Sequence, residues 1–149
     1  MDKYRFSRGS LLNAGFLLSE SDSSVDDCDY VALHDVDLIP LNDQLQYTFP
    51  ANGIRHVSAP GLHPRYEYQT FVGGILLITR EVFRKVDGFS NHYWGWGLED
   101  DEFYARLQEA KLQIERPVNV TTGQKDTFNH YHQARARPRD MSRCYNQVS

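Results

Sequence analysis

Phe71-Val72-Gly73-Gly74-Ile75-Leu76-Leu77-Ile78-Thr79 is an apolar run that reads as a central strand carrying two glycines. Glycine inside a strand weakens it for want of a side chain, so either a ligand or a neighbouring element approaches the backbone closely at Gly73 and Gly74. Thr79 is placed to cap a helix over Arg80 to Val86, which Gly88 ends.

Working outward, Asn52-Gly53 turns the chain into a short strand over Ile54 to Ala59, and Pro60 to Tyr68 is a loop rich in Pro, Gly and Tyr. Upstream, Tyr30-Val31-Ala32-Leu33 reads as a buried strand that ends at His34-Asp35-Val36-Asp37, before Pro40. Before it, Ser10 is positioned to cap a helix through Leu11 to Leu18, with Met1 to Arg8 irregular and Ser19 to Asp27 a solvated loop. Downstream, Phe103, Leu107 and Ala110 lie at helical spacing in a helix from Glu99 to Ala110, and Gln113-Ile114-Glu115-Arg116 before Pro117 reads as a last strand. Beyond Val120 the pattern dissolves into polar residues, histidines and arginines, and residues 133–149 read as a basic, flexible tail. Strands alternating with short helices predict a mixed α/β sheet covered on both faces, with any ligand beyond the carboxyl ends of the strands.

The chain has 149 residues, 40% hydrophobic and 13% aromatic, enough for one globular domain with a moderate core. A net charge of −4 argues against a nucleic-acid partner, which calls for a basic field. Apolar runs such as Ile75 to Ile78 are far too short to cross a bilayer, and the first residues lack a signal-peptide pattern. Cys28 and Cys144, without CxxC spacing, indicate neither a structural zinc nor a redox pair; one disulfide and two free thiols both stay open. There is no internal repeat and no low-complexity segment.

The chemistry concentrates in Tyr93-Trp94-Gly95-Trp96-Gly97-Leu98-Glu99-Asp100-Asp101-Glu102. Glycines on both sides of Trp96 relax the backbone around a large flat ring able to lie against a sugar or base. The four acids open a helix, where the macrodipole favours them whatever the function. Spread around that helix, however, at least one points toward the Trp96 loop, where a raised pKa or a cation would give it work.

Asp35 and Asp37, two apart at a strand tip, share a face if the strand persists and invite a cation, although such acids also commonly bond loop amides. His130 and His132 repeat the alternation. Together with Asp37 they form a carboxylate and imidazole set with room for further oxygen ligands, which suits manganese better than structural zinc. Tyr66, Tyr68 and Phe71 either line a carbohydrate or peptide groove or anchor their loop. Arg135, Arg137, Arg139 and Arg143 make a solvated basic end, with an acidic acceptor or a phosphate as the alternative target.

These motifs resemble the β-1,4-galactosyltransferase family. The resemblance runs from Phe6-Ser7-Arg8 and Leu12-Asn13-Ala14-Gly15-Phe16, through His34 to Asn42 and Phe71 to Leu77, to Trp94–Glu102 and His130-Tyr131-His132. The His-x-His ending and the Val-Gly-Gly-Ile-Leu-Leu strand favour the type 7, xylosylprotein branch. The resemblance implies a GT-A-like nucleotide-sugar transferase fold, Mn2+ as cofactor, UDP-galactose as donor, a β-xyloside on a proteoglycan core protein as acceptor, and the Golgi lumen as location. By position, Asp37, His130 and His132 match metal ligands and Asp100 the general base. Phe6, Arg8, Asp35, Asp37, Gly74 and Trp96 match the donor side, and Tyr66, Tyr68, Trp96, Glu99 and Asp101 the acceptor side. Two positions depart from the type 7 pattern: Leu98 stands where a basic residue is usual, and Glu67 where a histidine separates the two tyrosines. The family's N-terminal nucleotide-binding strand, its C-terminal strand region and its membrane anchor have no counterpart here, so the reading is of a partial catalytic domain. A related galactosyl- or N-acetylgalactosaminyltransferase and a non-catalytic fragment are the alternatives within the family. Outside it stand a glycosidase working with paired carboxylates and a non-haem iron oxygenase with a two-histidine, one-aspartate triad.

Overall fold

The computed structural model describes residues 5–25 and 28–142. In chain order the elements are α1 (Arg8–Ser21), β1 (Tyr30–His34), β2 (Leu38–Pro40), β3 (Ile54–His56), β4 (Ile75–Thr79), α2 (Arg80–Lys85), α3 (Glu99–Glu109) and β5 (Phe128–His130), with a short 3-10 turn at Ser23–Val25. Strands β1, β4 and β3 form one antiparallel sheet in that order, and β2 pairs with β5 in a second.

Strand β4 organises the core because all five of its residues are buried and its side chains alternate between two faces. Leu76 and Ile78 enter a cluster with Phe16 of α1, Val82 and Phe83 of α2, and Phe103 and Leu107 of α3. Ile75 and Leu77 enter the other, with Leu38 of β2, Val57 and Phe128 of β5. The mixed α/β architecture with a doubly covered central strand is thus as expected. Phe103 is fully buried and stacks on Phe89, ring centroids 4.1 Å apart, which locks α3 against the sheet.

Several local expectations are corrected. The first helix is capped by Ser7, not Ser10: the Ser7 hydroxyl accepts from the Ser10 amide, so Arg8 lies in the first turn rather than in an irregular lead. The earlier start seats Gly9 against Phe89 and the Ser90 carbonyl, where a Cβ would come within 3.0 Å. Strand β1 runs as expected but is an edge strand, with only Leu33 buried. Strand β4 begins at Ile75, leaving Gly73 and Gly74 in the approach to it. Strand β3 is shorter than expected because the amides of Val57 and Ser58 both turn to the Ile75 carbonyl. Residues 113–116 form no strand: Glu115 makes one parallel bridge with Arg55, reinforced by an ion pair of 2.7 Å. Asp35 and Asp37 sit in a tight turn, closed by the Leu38 amide on the Asp35 carbonyl, rather than along an extended strand. Neither β2 nor β5 was expected. Each has three residues, and their hydrophobic pattern is too short to register against the polar surroundings.

Candidate active site

A cavity of about 600 Å³ opens at the carboxyl end of β1 and the amino end of β4. Its walls come from the β1–β2 turn, the Gly73-Gly74 approach, the loop before α3, the first turn of α3, and the chain after β5. Every residue that the resemblance matched to a site role lines it: Asp37, His130 and His132, Asp100 with Glu99 and Asp101, the two tyrosines, Trp96, Gly74, Phe6, Arg8 and Asp35, whereas Glu102, Arg135 and Arg137 do not.

The β2–β5 pairing brings the trio together. Leu38 stands opposite His130, and the Tyr131 amide donates to the Asp37 carbonyl at 2.8 Å, so residues more than ninety positions apart become neighbours. Asp37 Oδ2 lies 3.5 Å from His130 Nε2 and 3.6 Å from His132 Nδ1. Burial, ahead of the opposing charge of Asp37, lowers the pKa of His130, which favours the neutral imidazole that a metal requires. Among the described residues no group of three His, Cys, Asp or Glu side chains is drawn up as a finished metal cage. The trio fits a divalent cation on donor chemistry, one carboxylate with two imidazoles, and His130 Nδ1 and His132 Nε2 are buried without hydrogen-bond partners.

Across the cavity, α3 follows Leu98 at its N-cap, whose φ of 75° is left-handed and whose side chain makes no capping bond; the first turn is instead all acid. Burial first, then the charges of Glu99 and Asp101, raise the pKa of Asp100 to about 7. Glu99 is also raised, mainly by burial, with Arg8 opposing. Arg8 is committed to both neighbours: its Nη2 lies 2.7 Å from Asp35 Oδ1 and its Nη1 3.8 Å from Glu99 Oε1. Gly73 closes the floor beneath Asp100, since a Cβ there would sit 2.8 Å from Asp100 Oδ2 and 2.7 Å from the Phe71 ring. Gly74 takes a φ of +76°, and a Cβ there would strike Ser58 Oγ.

The tyrosine wall is a packed aromatic cluster. Tyr66 and Tyr68 both contact the Phe71 ring, at centroid distances of 4.8 and 5.5 Å. Burial and the carboxylates of Asp100 and Asp101 push the Tyr68 hydroxyl far up, so it remains a donor. Two features of this wall escaped the sequence reading. His63 is buried, stacks on Tyr66 at 4.8 Å, and its Nδ1 accepts from the amides of Arg65 and Tyr66; burial lowers its pKa to about 4. A lone histidine in a Pro-rich loop carries no periodic signal. The second is Arg139, read as part of a solvated tail, whose guanidinium lies 4.3 Å from the Trp96 ring and donates to Tyr66 Oη at 3.3 Å. Residues 133–142 are therefore not detached from the domain: the Trp96 amide donates to the Asp140 carbonyl, and Arg5 pairs with Asp140. Phe6, largely exposed, holds the same loop through its carbonyl, which accepts from Gly95. Of the two cysteines, Cys28 is exposed and unpaired, and Cys144 lies outside the described residues.

The fold has close counterparts of known structure. A point mutant of the Drosophila β-1,4-galactosyltransferase 7, crystallised with manganese, UDP-Gal and xylobiose, superposes with a TM-score of 0.89 at 52% identity, over 99% of this chain and 60% of that one. The catalytic domain of the same enzyme with xylobiose gives the same score and identity. The fold is the GT-A-like fold of these galactosyltransferase structures.

The family model described as the N-terminal domain of galactosyltransferase matches residues 53–133, and the chain belongs to the galactosyltransferase family. Within it, similarity is strong to β-1,4-galactosyltransferase 7 of Drosophila melanogaster, 52% identical over 99% of this chain and 44% of that protein, and of Homo sapiens, 52% over 96% and 42%. The xylosylprotein 4-β-galactosyltransferase of Caenorhabditis elegans is 47% identical over 88% and 44%. The chain thus spans less than half the length of these curated relatives. This membership displaces the glycosidase and iron-oxygenase readings.

Proposed function

We propose that this chain carries the catalytic centre of a manganese-dependent inverting transferase that moves galactose from UDP-galactose to the 4-hydroxyl of a β-xyloside, as borne on a proteoglycan core protein, in the Golgi lumen. The observation that carries the reading is the placement of Asp100, with a pKa of about 7, in one cavity with the Asp37, His130 and His132 set. A base poised near neutrality is still a carboxylate for much of its population and holds a proton well once taken.

Asp100 is the group to receive the acceptor proton as the acceptor oxygen bonds to the anomeric carbon. The bond from that carbon to the diphosphate breaks with its electron pair leaving on UDP. Asp37, His130 and His132 would hold manganese, which when bound supplies positive charge against the departing diphosphate. Glu99 and Asp101 flank the base on α3 and are the groups to accept hydrogen bonds from the acceptor sugar, while Tyr66 and Tyr68 give it an aromatic wall. The protonated Tyr68 hydroxyl is available to donate. Phe6, Arg8 and Asp35 line the nucleotide side, and Gly74 leaves backbone exposed along the sugar. Trp96, 42% exposed between two glycines of positive φ, can close over the pair and exclude water.

Support comes from three directions: the cavity's chemistry, family membership, and the manganese, UDP-Gal and xylobiose named with the similar Drosophila enzyme. The test is a transfer assay with UDP-galactose and a synthetic xyloside, with and without manganese. Metal-dependent transfer that disappears in Asp100→Asn is expected; transfer that survives that change places the base elsewhere.

A further inference from the structure

The cavity holds five carboxylates and two arginines, an unfavourable field for a nucleotide diphosphate. One of the arginines is already spent. Arg8 is paired with Asp35 and Glu99, which leaves little of its charge for a ligand. Arg139 differs. Among the described residues no carboxylate lies within ion-pair distance of it; its partners are the Trp96 ring and the Tyr66 hydroxyl, neither of which cancels its charge. Its Nε is buried and unpartnered. A buried, unpaired guanidinium N–H is costly to maintain, and an anion that reaches it relieves that cost.

The chain delivers Arg139 to this position by a short path. After His132 a turn forms in which the amides of Ala136 and Arg137 both bond the Gln133 carbonyl. The Asp140 carbonyl then accepts from the Trp96 amide, and this bond fixes the neighbouring Arg139 over the indole. The guanidinium is therefore tied to the loop that carries Trp96 and to the segment that carries two of the three metal-side residues. A planar fork of N–H donors with delocalised charge suits two phosphate oxygens, and beside the one N–H given to Tyr66 the guanidinium over the indole keeps further in-plane donors to bond them.

We propose that Arg139 is a binding residue for the donor's diphosphate, gripping it from the Trp96 side of the cavity. The proposal deepens the functional reading above and rests on it. The neutral galactose and xylose have no need of such a group, whereas the diphosphate brings negative charge into a cavity that is otherwise acidic.

The test is titration calorimetry of wild type, Arg139→Gln and Arg139→Lys with UDP, UMP and uridine, each with and without manganese. Binding of UDP should weaken about tenfold or more in Arg139→Gln, with uridine unaffected, and Arg139→Lys should recover part of the loss. Michaelis constants for UDP-galactose should rise in parallel, equally for neutral and acidic xyloside acceptors. Equal weakening for uridine and UDP would mean a disturbed fold and overturn the proposal. So would unchanged UDP binding with a loss confined to acceptors carrying a carboxylate or phosphate, which would make Arg139 an acceptor reader. A wild-type chain that binds no UDP and transfers no galactose sinks the functional reading itself; wild-type binding with an indistinguishable Arg139→Gln sinks this inference alone.

Discussion

Asp100 owes its character to burial in the cavity floor acting together with the carboxylates of Glu99 and Asp101 on either side along the helix. With the carboxylate as the active form of the proposed base, transfer should fall about tenfold per pH unit below about 7 and level off above it, which a profile of kcat/KM will register. Asp100→Asn should cost roughly 10²- to 10⁴-fold in kcat while UDP and manganese binding persist. The same residue has a stability signature of definite sign. Its folded pKa stands above the ordinary aspartate value of 3.8, so the folded state binds more protons than the unfolded one between the two values, and stability from this group falls as pH rises through that window. Asp100→Asn should therefore unfold at a higher temperature than wild type at pH 8, with the difference vanishing near pH 4. Gly73 answers a different question: Gly73→Ala drives a methyl against Asp100 Oδ2 and the Phe71 ring, so kcat should drop with little change in the affinity for UDP.

At the scale of elements, α3 and the β2–β5 ribbon do separate jobs. Helix α3 is a structural member whose Phe103 and Leu107 are fully buried, and truncating Leu107 to alanine should cost about 2–5 kcal/mol in denaturant unfolding. The ribbon positions the proposed metal ligands, and the His130 and His132 side chains do not belong to either core cluster. His130→Ala or His132→Ala should thus abolish manganese binding by calorimetry while shifting the unfolding midpoint only slightly; a collapse of the fold would show the histidines to be structural. The helices and the central strand were legible from hydrophobic period and caps, because each repeats its pattern over enough residues. Strands of three residues repeat nothing, so β2 and β5 were invisible until pairing revealed them.

For the whole molecule, the consequence is that the site exists only in the folded chain. Its members come from six stretches between Phe6 and Arg139, joined by one small sheet, one bent turn and a returning segment. Manganese with UDP should accordingly raise the unfolding temperature of wild type, by linkage to the native state alone, and fail to do so in Asp37→Asn. The amino-acid sequence by itself determined the family, the central strand, the helix bearing four acids and most of the residues facing the cavity, since motifs and local periodicity are written in neighbouring positions. Tertiary structure alone decided that Asp100 would be held near pH 7, that Arg139 would leave the tail to cover Trp96, and that His63 would brace the tyrosine wall. Burial, charge proximity and hydrogen bonding across long separations set those properties, and none of them is defined until distant segments share one space.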